Sequence, residues 1–214
     1  MSARYVLLAS YPKSGNTWLR MVLSNLLHPA EGPVSINEIP LRLRGCDRDT
    51  FDDLSPWPSD DLRWEEVARL LPDVLRQQVA AATGTLYLKV HARAHRTHPG
   101  EWIYPPECVA TVFYLVRHPL DVAMSFANHY GFSLERTVEA MTDEAEVMPP
   151  QTRTQPPSLP EWFGSWSTHA ASWLDSELPY RVCRSRYEDL LRAPVETFGG
   201  LLAGAGILAG DAEL

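Results

Sequence analysis

The stretch from Ser10 to Arg20, Ser-Tyr-Pro-Lys-Ser-Gly-Asn-Thr-Trp-Leu-Arg, constrains the fold most, because it joins two segments with different hydrophobic patterns. The preceding run, Tyr5–Ala9, is short, apolar and without alternation, which predicts a strand buried on both faces of a parallel sheet. The following run has apolar residues at three- and four-residue spacing, which predicts a buried helix that ends near His28-Pro29. The sequence therefore predicts a strand–loop–helix unit near the N-terminus.

The loop of this unit contains residues that suit an anion. The first backbone N–H groups of a helix have no intrahelical partner and lie at the positive end of the helix dipole, where a phosphate can bind. Gly15 permits a close approach of the backbone, and Lys13 supplies a positive charge. Ser14, Asn16 and Thr17 offer further hydrogen bonds. We expect a phosphate site here, with a plain turn as the alternative when the loop is considered alone.

Composition narrows the class of protein. The chain has 214 residues, of which 45% are hydrophobic and 21% charged, as in one soluble α/β domain over residues 1–214. Its net charge of -8 argues against a nucleic-acid partner, and no apolar run is long enough to span a membrane. The three cysteines are widely spaced and include no Cys-x-x-Cys pair. We expect a cytoplasmic protein with no membrane partner, disulfide framework or metal.

The rest of the chain alternates strands with helices. After an irregular excursion at 29–64, we expect helices at 65–82, with a kink or break at Pro72, and at 133–148, 162–178 and 193–207. Another helix contains Leu120 to Phe126, and further strands are expected at 86–91, 109–116 and 180–185. Residues 149–160 are too rich in proline for regular structure. This order predicts an α/β fold with a mostly parallel central sheet flanked by helices.

Basic residues follow three of the predicted strands. Lys13, His91 and Arg117 each come at or just after the end of an apolar strand, and alternation places Lys89 on the same face as His91. Ligands of parallel α/β sheets bind outside the carboxyl ends of the strands. We therefore expect these side chains to converge at one edge of the sheet.

Five stretches resemble motifs of one family, and they occur in that family's order. They are residues 11–18 (Tyr-Pro-Lys-Ser-Gly-Asn-Thr-Trp), 89–91 (Lys-Val-His), 114–125 (Tyr-Leu-Val-Arg-His-Pro-Leu-Asp-Val-Ala-Met-Ser), 164–173 and 186–190 (Arg-Tyr-Glu-Asp-Leu). Together they resemble the cytosolic-type sulfotransferases, which use 3'-phosphoadenosine 5'-phosphosulfate (PAPS) as sulfuryl donor. The resemblance implies a three-layer, P-loop-like fold and a small-molecule acceptor with a hydroxyl or amine.

The resemblance also implies roles for individual residues. Lys13 and Lys89 would stabilise the leaving phosphate or the transferring group, and His91, with an ordinary pKa of about 6.5, would be the general base. Trp18 would stack on the adenine. The implied donor-binding residues are Lys13, Ser14, Gly15, Asn16, Thr17 and Trp18 for the 5'-phosphosulfate side, Arg117 and Ser125 for the 3'-phosphate, and Tyr187 for the nucleotide.

One departure from the family concerns the C-terminus. Sulfotransferases of this type have a later segment, rich in Arg, Lys and Gly, that closes over the 3'-phosphate and adenine. Here the sequence stops about 25 residues after Asp189, in Gly-Asp-Ala-Glu-Leu. We expect this closing segment to be missing from the domain, either because the sequence is truncated or because the donor site is incomplete.

Several alternatives remain open. For His91 the alternative is a structural role, and for Arg117 it is a pairing with Asp121. For His169 and Trp166 the alternative to contact with the acceptor is packing in the core. A nucleotide or small-molecule kinase is a second function, although no Gly-Lys-Ser/Thr closes the loop. A non-catalytic nucleotide-binding protein is a third.

Overall fold

The central sheet has four parallel strands. The structure is a computed structural model that describes residues 4–27, 33–36, 39, 47–97, 100–145 and 159–206. The strands are β1 (Arg4–Ser10), β2 (Thr85–Val90), β3 (Val109–Val116) and β4 (Val182–Arg186), in the spatial order β2-β1-β3-β4. All three pairings are parallel, which confirms the predicted α/β fold with a parallel central sheet.

Helices connect the strands and cover the sheet. Within the described residues the α-helices are α1 (Asn16–Leu27), α2 (Arg48–Leu54), α3 (Trp64–Ala81), α4 (Pro119–Tyr130), α5 (Leu134–Thr142), α6 (Trp166–Leu174), α7 (Tyr187–Arg192) and α8 (Pro194–Ala205). Two short 3-10 helices lie at Ser59–Asp61 and Pro106–Cys108. None of the helices in these ranges is both long and apolar enough to cross a bilayer.

Strand β1 is buried on both faces, as its continuous apolar sequence predicts. Tyr5, Leu7 and Ala9 belong to one core cluster, which includes side chains from α3 and α6. Val6 and Leu8 belong to a second cluster, which includes side chains from α1 and α8. Because successive side chains of a strand point to opposite faces, the two clusters lie on the two sides of the sheet and produce three layers.

The predicted excursion at 29–64 is wrong in part, because it contains α2. The carboxylate of Asp47 accepts a hydrogen bond of 2.8 Å from the Thr50 backbone N–H and caps the helix. Phe51 is fully buried against the core that includes α3. Residues 48–54 of this excursion therefore form a capped helix anchored by one aromatic residue. Residues 29–32, 37–38 and 40–46 of the excursion lie outside the described residues.

Of the kink or break predicted at Pro72, the break is wrong. Helix α3 continues through this residue, and Pro72 is itself buried. A proline inside a helix costs about 3 kcal/mol, because it removes a hydrogen bond and crowds the preceding turn. Val67, Val74 and Leu75 are almost completely buried on either side of it, and their burial offsets this cost.

Three other helix boundaries differ from the predictions. Helix α5 ends at Thr142 and α6 spans only 166–174, since Asp143 and Asp175 take extended or other non-helical C-cap conformations. Helix α7 follows β4 directly and was not predicted. The Pro-rich stretch lies outside the described residues, except for Leu159 and Pro160.

We expect Leu75→Ala to lower the free energy of unfolding by about 2–5 kcal/mol, because Leu75 is fully buried between α3 and the sheet and its loss leaves a cavity. Leu191→Ala is the matched control, because Leu191 is 61% exposed. It should change stability by less than about 0.5 kcal/mol. Urea unfolding followed by circular dichroism measures both, and equal effects would contradict this description of the core.

Candidate active site

An open pocket of about 480 Å³ lies at the carboxyl ends of β1, β2 and β3. Most of the residues predicted to form the site line it: Lys13, Gly15, Asn16, Thr17, Trp18, Lys89, His91, Arg117, Ser125 and Tyr187. Ser14 is fully buried beneath the loop. A larger groove, of about 670 Å³, lies between β4, α7 and α8 and contains none of these residues.

The loop between β1 and α1 has an unusual backbone. Lys13 has a φ of 66° and Gly15 a φ of 102°, both in the region that L-residues rarely adopt. A Cβ atom on Gly15 would lie 2.7 Å from the Cδ2 atom of Tyr187. Gly15 is thus required both by its backbone conformation and by the close packing of Tyr187. The first residues of α1, Asn16, Thr17 and Trp18, line the pocket beside this loop, and the first N–H groups of a helix have no intrahelical partner.

The side chain of Asn16 fastens this loop to the sheet. Its Nδ2 donates to the carbonyl of Leu8 at 2.7 Å and to the hydroxyl of Ser10 at 3.3 Å. Both N–H groups of the amide are therefore used inside the fold and are not available to a ligand. Buried beneath the same loop, the Ser14 hydroxyl has no hydrogen-bond partner among the described residues.

Arg117 lies beside the loop. It donates a hydrogen bond of 3.0 Å to the carbonyl of Lys13, and its Cζ atom lies 4.4 Å from the centre of the Tyr187 ring. These contacts replace the pairing with Asp121 that the sequence left open. The buried Nε atom of Arg117 has no hydrogen-bond partner among the described residues. Because this atom is shielded from solvent, an anion in the pocket would meet the remaining N–H groups of the guanidinium, and these make Arg117 suited to an anionic ligand.

The pocket has an excess of positive charge. Burial, and then the charge of Arg117, lower the pKa of Lys13. Burial also lowers the pKa of His129, and the charges of Lys13 and Lys89 lower it further. The cations repel one another across the pocket, and a bound anion would relieve that repulsion.

The ring of His91 has a defined tautomer. Its Nδ1 lies 2.8 Å from the carbonyl oxygen of Ser10. A carbonyl can only accept, so Nδ1 bears the proton and Nε2 has a lone pair. Burial, and then the charge of Lys89, hold the pKa of His91 well below 6.5, so the ring is neutral at pH 7. A buried, neutral histidine with a free Nε2 is suited to accept a proton.

Helix α6 supports the backbone beside His91. His169 is fully buried, its Nε2 donates to the His91 carbonyl at 3.2 Å, and its Nδ1 accepts from the Tyr114 hydroxyl at 3.2 Å. Burial lowers the pKa of His169 to about 3. Trp166 packs against a cluster that contains Tyr11 and Phe163. For His169 and Trp166, the structure therefore shows the packing alternative.

Several pocket residues were not predicted from the sequence. No role in the site was predicted for His129, but this residue lies on α4 and lines the pocket with Tyr130. The sequence signal that predicts a place for His129 in the pocket is its position four residues after Ser125, because residues four apart lie on the same face of a helix. Met21 and Ile36 add apolar surface. No group of three or more His, Cys, Asp or Glu side chains in the described ranges is arranged to hold a metal ion.

Comparisons with known proteins identify a family and a fold. The profile of the sulfotransferase domain family matches residues 3–202. The structure of mouse sulfotransferase SULT7A1 complexed with PAP has a TM-score of 0.55 and 17% sequence identity, with 97% of this chain and 60% of that chain covered. Retinol dehydratase in a complex with retinol and PAP has a TM-score of 0.54 and 18% identity, with 94% and 60% covered. The chain therefore spans about 60% of the length of these structures, and the likeness shows the fold.

We expect Gly15→Ala to destabilise the protein more than Gly84→Ala. Both glycines have a strongly positive φ, so each alanine costs about 1–3 kcal/mol of backbone strain. A Cβ on Gly84 meets nothing within 4 Å, whereas one on Gly15 meets Tyr187. This contact should add about 1–3 kcal/mol to the Gly15 variant alone. Equal unfolding free energies of the two variants in urea would contradict the packing of Tyr187 on the loop.

Proposed function

We propose that this chain, which belongs to the sulfotransferase domain family, transfers a sulfuryl group from PAPS to a hydroxyl group, or an amine, of a small molecule. The observation that carries the proposal is the shared pocket in which a cationic, N–H-rich loop faces a neutral histidine. PAP, which is PAPS without its sulfuryl group, is bound in both of these solved structures, and this supports PAPS as the donor.

The residues present fit a donor with two anionic groups. The N-terminus of α1 and Lys13 suit the 5'-phosphosulfate, because they combine backbone N–H groups with a positive charge. Arg117 and Ser125 suit the 3'-phosphate, because both line the pocket and together offer a guanidinium and a hydroxyl as hydrogen-bond donors. Trp18 and Tyr187, whose ring centres lie 5.9 Å apart, offer aromatic surface for the adenine.

The bound donor supplies the sulfuryl group, and the 5'-phosphate to which that group is attached is the leaving group. The contribution of the protein is to hold positive charge where negative charge develops. Lys13, Lys89 and the N–H groups at the start of α1 line the pocket before any ligand binds, so they need little rearrangement. Burial, and then the charge of Arg117, lower the pKa of Lys13, and a bound anion would oppose this lowering.

His91 would accept the proton of the acceptor. Its Nε2 has the lone pair, and its Nδ1–H bond to the Ser10 carbonyl holds the ring and would stabilise the imidazolium that forms. Burial, and then the charge of Lys89, keep the pKa of His91 low, so the ring is unprotonated when the acceptor arrives. Met21, Ile36 and Tyr130 give the pocket apolar surface for a small organic acceptor.

A transfer assay with sulfur-labelled PAPS and a panel of phenols, alcohols and amines tests the proposal. We expect transfer to at least one class, and we expect His91→Ala to lower kcat by about 10²–10⁴-fold because it removes the base. The affinity for adenosine 3',5'-bisphosphate, measured by calorimetry, should stay unchanged in that variant and serves as the internal control for folding.

Two results would contradict the proposal. Turnover of His91→Ala equal to that of the wild type would exclude His91 as the base. Binding of ATP with Mg²⁺ in preference to the bisphosphate would exclude a PAPS site and favour a kinase.

A further inference from the structure

The backbone next to His91 needs hydrogen-bond partners from outside the sheet. The pairing of β2 with β1 ends at Val90, so the following N–H groups have no strand position. The N–H groups of His91 and Ala92 instead converge on one carboxylate oxygen, Oε2 of Glu161. The bond from Ala92 measures 2.9 Å.

The segment that contains Glu161 also accepts a hydrogen bond from the next backbone N–H group that follows. The N–H of Arg93 donates to the carbonyl of Trp162 at 3.1 Å. On the opposite side of this backbone, the Nε1 atom of Trp173 donates to the carbonyl of Ala92 at 3.1 Å. These contacts join residues about 70 positions apart in the sequence.

We propose that Glu161 is a positioning residue for His91, an inference that deepens the proposed function and depends on it for its catalytic meaning. Glu161 fixes the backbone of residues 91–92 by accepting both N–H groups. That backbone in turn places the ring so that Nδ1 reaches the Ser10 carbonyl and Nε2 remains available. A small displacement of the backbone would break this bond and free the ring to change tautomer.

The length of the Glu161 side chain, rather than its charge, is the property that lets it hold the backbone of residues 91–92. Burial raises the pKa of Glu161, while the charge of Lys89 and the two backbone hydrogen bonds oppose that rise. The oxygen of a glutamine amide at the same distance could accept both N–H groups. An aspartate keeps the carboxylate but is shorter by one methylene, so it cannot reach them without backbone movement.

The pair Glu161→Gln and Glu161→Asp separates these two properties. ¹⁵N NMR of protein labelled in its histidine rings reports the tautomer of His91 without donor or acceptor. We expect Glu161→Gln to keep the Nδ1–H tautomer and nearly all of kcat. We expect Glu161→Asp to lose the single tautomer and about 100-fold in kcat, with the affinity for adenosine 3',5'-bisphosphate unchanged.

Glu144→Asp is the matched control. Glu144 accepts from the Ser165 hydroxyl at 2.8 Å and lies near Arg93, but it does not contact the backbone of His91. The same shortening at Glu144 should leave the His91 tautomer and kcat unchanged.

Retention of the wild-type tautomer in Glu161→Asp, or its loss in Glu161→Gln, would overturn the inference. If the Asp variant does not fold, Glu161→Ala replaces it: the inference predicts loss of the single tautomer, and retention of the tautomer would overturn it. If the wild type transfers no sulfuryl group, the proposed function fails, and the tautomer measurement still decides whether Glu161 positions His91.

Discussion

Parallel pairing of β1 with both β2 and β3 is the constraint on which the rest of the structure depends. It brings the ends of three strands to one edge, so Lys13, His91 and Arg117 meet although 104 positions separate the first from the last. Ser10 shows the coupling most directly, because the last residue of β1 accepts the hydrogen bond that orients the ring after β2. The orientation of the His91 ring therefore depends on both β1 and β2.

This edge combines strain with uncompensated charge. Lys13 adopts a positive φ, and its pKa is lowered by burial and by Arg117. Both features reduce stability, and the buried cores on the two faces of the sheet offset them. A site that is costly without its ligand and is lined by the guanidinium of Arg117 is prepared for an anion.

Much of the fold and of the site follows from local patterns in the sequence. The apolar run of β1, the loop with Gly15 and the polar residues at strand ends have short-range signals, and these predicted the sheet and the pocket lining. Ser14 and Asn16 show the limit of such reasoning. Their residue types suggested ligand contacts, whereas the structure buries Ser14 beneath the loop and directs the Asn16 amide into β1.

The features that were missed depend on long-range contacts. Glu161 follows a Pro-rich stretch, and only the folded chain brings it to His91, 70 residues away. Helix α2 was not predicted, because a short segment with several acidic residues is typical of a loop. Its stability comes from the burial of Phe51. Pro72 was expected to interrupt α3, and packing on both sides of it decided otherwise.

The central claim is that the start of α1 and Arg117 together bind an adenosine bisphosphate. Amide ¹H–¹⁵N NMR during a titration with adenosine 3',5'-bisphosphate tests it most directly. The account predicts that the backbone N–H signals of residues 15–18 and the Nε–H signal of Arg117 shift together and saturate with one dissociation constant. Saturable binding that leaves these signals in place would contradict it.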